Sequence, residues 1–142
     1  YKNHEATSSA IDEDGWLHTG DLGIIDSEGY LFIKGRSKNM ILGPSGQNIY
    51  PEEIEDRLNA LPYVSESLVI EKDGKLIALI YPDYEVVKKE KISPEQLKTK
   101  MDENRKLLNH MLPMYSQVAR LKIQETEFEK TPKRSIKRYL YQ

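Results

Sequence analysis

Cysteine is absent from the 142 residues, which excludes a disulfide scaffold, thiol catalysis and a cysteine-based zinc site. The same absence fits a reducing, cytoplasmic setting. No apolar run approaches the roughly 18 residues of a membrane-spanning helix, and the start at Tyr1 carries no signal-peptide pattern. A chain opening on tyrosine reads as an excised fragment. An excess of positive charge is missing too: a formal net charge of −2 and a pI near 6.0 argue against a nucleic-acid partner. No internal repeat or low-complexity tract is found. What is present, 38% hydrophobic and 31% charged residues, is ordinary for one globular domain with a moderate core.

Taken in order, residues 3–11 predict a short helix with Asn3 as N-cap and Ala6, Ala10 and Ile11 as a thin apolar face. Residues 16–26 and 30–35 predict a β-hairpin about Ser27-Glu28-Gly29. Pro51 suits the first position of a helix, Glu52 and Glu53 complement its dipole, and Ile54, Leu58 and Leu61 form one buried face before Pro62 stops it. Residues 64–72 and 75–81 predict the clearest hairpin, because Asp73-Gly74 is the preferred pair for a type I′ turn. Residues 83–91 read as a charged loop. Ser93-Pro94-Glu95-Gln96 looks like a capping box opening a helix with Leu97, Met101, Leu108 and Met111 on one face. Residues 118–123 predict a further strand joining the hairpin in an antiparallel sheet, giving an α+β sandwich.

The most unusual stretch runs from Gly35 to Glu55. It joins two cations, Arg36 and Lys38, to the apolar Met40-Ile41-Leu42, the turn Gly43-Pro44-Ser45-Gly46 and an acidic helix start. Two residues apart, Arg36 and Lys38 share a side in an extended segment. Read on spacing alone, this is a surface loop between a hairpin and a helix.

The stretch resembles the hinge motif of the adenylate-forming enzyme superfamily, Gly-Arg-x-(Asp/Lys)-x followed by Gly-x-x-Ile-x-Pro-x-x-Ile-Glu. A second signature of that superfamily matches upstream, Gly15-Trp16-Leu17-His18-Thr19-Gly20-Asp21 followed by Gly29-Tyr30-Leu31. The wording Tyr81-Pro82-Asp83-Tyr84 and Phe128-Glu129-Lys130-Thr131-Pro132 is most similar to the long-chain fatty acyl-CoA ligase branch. The resemblance covers essentially the whole chain. It implies that residues 1–33 are the tail of a large N-terminal domain and residues 34–142 the small C-terminal lid, an α+β domain with a small antiparallel sheet flanked by helices.

It also implies roles. Asp21 would accept hydrogen bonds from the ribose hydroxyls of ATP, as a carboxylate with two acceptor oxygens can. Arg36 would reach the nucleotide, Lys38 would be the hinge about which the lid swings between half-reactions, and Gly46 would line the tunnel for the pantetheine arm of CoA. ATP, CoA and Mg²⁺ are the implied cofactors, with the Mg²⁺ site in the N-terminal domain. The implied partners are that domain and the small-molecule substrates, with peripheral membrane contact open to the full-length enzyme. The fragment alone would be inactive. A related alternative is an acyl-AMP ligase or adenylation domain that loads a carrier protein.

One position departs from the pattern. The family's Lys-Thr-x-x-Gly-Lys-Ile-x-Arg places a charge-neutralising lysine where this chain has Ser135, and a glycine where it has Arg134; Ile136 and Arg138 match. The substitutes within reach are Lys133, Arg134 and Lys137. Lys133 comes first, because in an extended loop a residue two positions away faces the same side. Ser135 also leaves open a degenerate, non-catalytic homologue.

Overall fold

Asp73 and Gly74 both adopt left-handed backbone, at φ +53° and +72°, so the connection they make is the mirror-image turn that suits the twist of a hairpin. It joins β5 (Val64–Lys72) to β6 (Lys75–Pro82) in register from Lys72 opposite Lys75 to Val64 opposite Pro82. The computed structural model that shows this describes residues 2–142, in two units: one ends at Met40, the other is Ile41–Gln142. Tyr1, where the expected tail of the large domain begins, lies outside the described residues.

In the second unit both faces of the β5–β6 hairpin are covered. Alternation sends Val69, Ala78 and Ile80 to one face and Leu68, Ile70 and Leu79 to the other. The first set packs on helix α2 (Pro51–Asn59) through Ile54 and Leu58, and on helix α4 (Pro94–Met111) through Leu97, Met101 and Leu108. Phe128 meets the second set, with Ile136 and Tyr141 beside it. The chain's C-terminal segment therefore closes the sheet's far face.

Most expected elements are present. Asn3 caps helix α1 (His4–Ala10) by accepting from the Ala6 N–H at 2.9 Å, and strands β1 (Asp21–Ile25) and β2 (Leu31–Arg36) pair antiparallel. Pro51 opens α2, and Ser93 and Gln96 form the capping box of α4. The α+β class, with its small antiparallel pairings and flanking helices, holds.

Three details differ. Strand β7 (Val118–Ile123) runs parallel to β6, so the three-stranded sheet is mixed. The chain leaves β6, passes through two helices and returns from the same end, the crossover that parallel neighbours require. Asn109 fixes the return: its side chain donates to the Val118 carbonyl at 2.9 Å and accepts from the Val118 N–H at 2.8 Å. Residues 84–89, expected as loop, form helix α3 (Tyr84–Lys89), capped by the Asp83 carboxylate and anchored by buried Val87. On α4 the buried face is Leu97, Met101, Asn104 and Leu108, whereas Met111 is exposed; Asn104 is tolerated inside because it donates to the Pro62 carbonyl at 2.7 Å.

Among its described residues the first unit has no comparable core. Ile24, Ile25, Leu31, Phe32 and Ile33 of the β1–β2 hairpin are more than half exposed. A two-stranded hairpin is marginal by itself in water.

Candidate functional site

In the first unit the structure brings together the two residues expected to hold a nucleotide. Asp21 begins β1 and Arg36 ends β2, and they are direct cross-strand partners. The Arg36 guanidinium donates to the Asp21 carboxylate and, at 3.2 Å, to the Thr19 carbonyl. This hydrogen bond, reinforced by the cation's charge, holds the Asp21 carboxyl below the usual carboxylate range. Gly20 makes the approach possible: at φ +75° it turns the chain, and its carbonyl accepts from the Ser37 N–H at 2.8 Å. Both side chains stay open to solvent, so a polyhydroxylated, anionic ligand would find acceptor and cation side by side.

The loop before Asp21 has its own clamp. Asp12 accepts from the backbone N–H groups of Asp14 and Trp16 and pairs with His18 Nε2 at 2.9 Å. Those contacts keep the Asp12 carboxyl low, the Trp16 N–H contributing most.

Lys38 follows in the short 3₁₀ turn Ser37–Asn39, closed by the Met40 N–H on the Ser37 carbonyl at 3.3 Å. Among the described residues its ammonium makes no ion pair, and the turn is short irregular backbone of the kind that absorbs rotation.

Gly46 lies in the second unit, in the loop joining β3 (Ile41–Leu42) to β4 (Asn48–Ile49). Its N–H donates to the Gly43 carbonyl at 2.9 Å, and its φ of +81° demands glycine although nothing lies within 4 Å of where a Cβ would be. The loop borders a groove of about 230 Å³ lined by Ile41, Leu42, Pro44, Ile49, Glu71 and Leu76.

Lys133 occupies the tip of a C-terminal hairpin in the same unit. Thr131 N–H donates to the Ser135 carbonyl at 2.8 Å and Arg134 N–H to the Thr131 carbonyl at 2.9 Å, with Lys130 and Ile136 bridging below. This is a three-residue loop, Pro132-Lys133-Arg134, whose last residue is left-handed: Arg134 has φ +61°. The loop is closed, not extended, so the side-sharing that put Lys133 first does not apply. Lys133, Arg134 and Ser135 are exposed, and neither cation makes an ion pair among the described residues.

The hairpin stem, by contrast, is pinned. Lys130 pairs with Glu66 at 2.6 Å, Lys137 with Glu129 at 3.3 Å, and Phe128 meets Tyr141 edge to face at 5.2 Å. Arg138 reaches inward: its NH1 donates to both oxygens of Glu55 at 2.8 and 2.9 Å, its NH2 to the Val69 carbonyl at 2.9 Å. The Val69 N–H donates back to Glu55 at 2.6 Å. Burial pushes the Glu55 carboxyl up, and Arg138 and Val69 offset part of that rise. Sequence reasoning matched Glu55 and Arg138 to separate signatures without pairing them, because they lie 83 residues apart and nothing local links the two motifs.

Among the described residues no cluster of three His, Asp or Glu side chains could hold a metal ion, and no helix is long and apolar enough to cross a membrane.

Residues 38–141 match the profile of the AMP-binding enzyme C-terminal domain. The chain is 51% identical over 80 residues to the long-chain-fatty-acid–CoA ligase FadD13 of Mycobacterium tuberculosis, an alignment covering 54% of this chain and 16% of that protein. It resembles the o-succinylbenzoate CoA synthetase MenE of Bacillus subtilis, solved with its acyl-adenylate intermediate, at 26% identity and TM-score 0.71, covering all of this chain and 27% of that one. The adenylation domain of a Mycobacterium chelonae carboxylate reductase shares the fold at TM-score 0.86 and 22% identity, over 99% of this chain and 23% of that one. The chain thus spans about a quarter or less of these relatives.

Proposed function

This chain belongs to the AMP-binding enzyme C-terminal domain family, and on that premise we propose that it is the lid of an ATP-dependent, AMP-forming acyl-CoA ligase acting on long-chain fatty acids. The observation that carries the reading is the Asp21–Arg36 pair: the two residues assigned to the nucleotide sit side by side, ahead of the turn that holds Lys38. Residues 1–33 are the end of a large domain, in keeping with a hairpin whose apolar residues lack a core here, and 34–142 form the lid.

In this reading the Asp21 carboxylate binds the ribose hydroxyls and Arg36 turns from Asp21 toward the nucleotide. Mg²⁺ and the phosphate loop would belong to the large domain. The fatty acid carboxylate attacks the α-phosphorus and pyrophosphate leaves. Rotation at Lys38 then brings the Gly46 loop to the acyl-adenylate, where the apolar groove beside it admits the thin pantetheine arm. The charge that Ser135 cannot supply comes from the hairpin tip, where Lys133 and its neighbour make no ion pair among the described residues.

FadD13 is named a long-chain ligase, which supports the fatty acid as substrate and CoA, rather than a carrier protein, as acceptor. The test is ATP–pyrophosphate exchange and acyl-CoA formation by the full-length protein containing these residues, with fatty acids of graded length, beside the 142-residue chain. Exchange and acyl-CoA formation with long-chain acids by the full-length protein alone is expected. Acyl-CoA made by the 142 residues themselves overturns the assignment; no exchange by the full-length protein favours the non-catalytic homologue that Ser135 suggests.

A further inference from the structure

We infer that Arg134 is the catalytic cation that replaces the missing lysine of the C-terminal hairpin, a deepening that rests on the adenylation reading above. Three observations lead to it. First, residue 134 is where the family pattern has glycine, and the structure shows why: the last residue of the three-residue loop is left-handed, at φ +61°. Glycine adopts that conformation freely and arginine does so under strain.

Second, the left-handed backbone closes the loop, but the arginine side chain gains nothing locally from being there. Asp73, also left-handed, is a residue type its turn favours, and Tyr63, at φ +63°, packs against the core and donates to Glu90 at 2.6 Å. Arg134 is exposed and its guanidinium makes no hydrogen bond or ion pair among the described residues. Lys91, at φ +53°, is exposed and left-handed too, where helix α3 ends; what sets Arg134 apart is that it stands where the family pattern has glycine, beside Ser135.

Third, the placement suits the task. Arg134 is chain neighbour to Ser135, the residue in the lysine position, about 3.8 Å away between Cα atoms. The stem that presents both is fixed by Glu66–Lys130 and Glu55–Arg138, so the backbone carrying the tip cation is held in place. Lys137 is tied to Glu129, and Lys133 lies one residue farther from Ser135.

In the proposed step a carboxylate oxygen of the fatty acid attacks the α-phosphorus of ATP. The new P–O bond forms as the bond to the α–β bridging oxygen breaks, and pyrophosphate leaves with that electron pair. No proton moves: Arg134 stays charged throughout and neutralises the negative charge building on the phosphoryl oxygens, with an open fork of donors.

The experiment is ATP–pyrophosphate exchange by the full-length protein carrying Arg134→Gly, which restores the family's glycine and relieves the strain. Exchange is expected to fall about a hundredfold, the scale of losing one preorganised charged donor, while Tm does not fall. The double variant Arg134→Gly/Ser135→Lys, which rebuilds the family pair, is expected to recover to within about tenfold of wild type. Lys133→Ala is expected to lose less than Arg134→Gly. The assignment is overturned if Arg134→Gly exchanges at the wild-type rate, if its loss comes with a lowered Tm, or if Lys133→Ala is the more damaging change. A wild-type protein that exchanges no pyrophosphate fails differently, since it removes the adenylation reading itself.

Discussion

Replacing Arg138 with methionine removes one side chain but strands another. The guanidinium makes two hydrogen bonds to Glu55 and one to the Val69 carbonyl, and the two side chains are 14% and 12% exposed. Methionine fills most of the volume and supplies none of the donors. Glu55 then keeps only the Val69 N–H, at 2.6 Å, against the cost of a nearly buried charge. Removing one partner of a buried pair costs about 3–5 kcal/mol, a large share of the roughly 5–15 kcal/mol that holds a domain together. A Tm lower by about 10 °C follows for a chain of this size. The loss also depends on pH in a definite sense. Burial already places the Glu55 carboxyl above its ordinary value, so the folded state binds the proton more readily than the unfolded. Stability from this group therefore falls as pH rises from the ordinary glutamate value, about 4.3, to the folded one, and is level beyond. Without Arg138 the folded value rises further and the window widens. Urea denaturation of the 142-residue chain at pH 7 and near pH 4 reads both effects: the variant's deficit should be full at pH 7 and shrink toward pH 4. Glu55→Leu/Arg138→Met, with no charge left to strand, should be more stable than Arg138→Met alone. A deficit below about 1 kcal/mol at pH 7, or one independent of pH, refutes the reasoning, because it would mean that Glu55 finds water when Arg138 is gone.

Arg134→Gly should stabilise the chain by about 1 kcal/mol through relief of left-handed backbone, measured as a higher urea midpoint with unchanged slope. Ser93→Ala removes the hydroxyl that accepts from the Gln96 N–H at 3.2 Å and should cost about 1 kcal/mol, read by thermal denaturation. Gly74→Ala should cost about 1 kcal/mol because φ there is +72°, even though a Cβ would meet nothing within 4 Å. Asp21→Asn in the full-length protein should raise the KM for ATP about tenfold or more, and because Arg36 holds the wild-type carboxyl low, nucleotide affinity should not decline on acidification until below the usual carboxylate range. A titration of affinity against pH that turns down near neutrality contradicts that.

Legibility followed how local each cause was. The β5–β6 hairpin could be read because Asp73-Gly74 fixes it within two residues, and α4 because Ser93 and Gln96 lie within one turn. Helix α3 was missed because charge dominates residues 83–91; its cap, Asp83, and its one buried anchor, Val87, are local signals outweighed by composition. The direction of β7 depends on where two helices deliver the chain, and no residue within the strand records that. Asn104 inside α4 depends likewise on the Pro62 carbonyl, far away in sequence. At the candidate site, Asp21 and Arg36 were recognisable one by one, while their meeting required the strand register.

The same distinction between local and distant causes explains how the C-terminal hairpin could serve the lid proposed above. Its loop is specified locally, by Pro132 and two backbone hydrogen bonds, and by itself such a hairpin would be marginal. Its position is specified from afar: Glu55 comes from the helix that follows the Gly46 loop, Glu66 and Val69 come from β5, and Phe128 plugs the sheet. Each anchor holds the stem and none touches the tip. If the stem were loose, a cation at the tip would have to be ordered during the reaction, and the entropy of that ordering would oppose catalysis. With the stem fixed to α2 and β5, the Gly46 loop and the hairpin tip belong to one packed unit. In the proposed reading, a lid built this way would present its tip for one half-reaction and its glycine loop for the other, without refolding either.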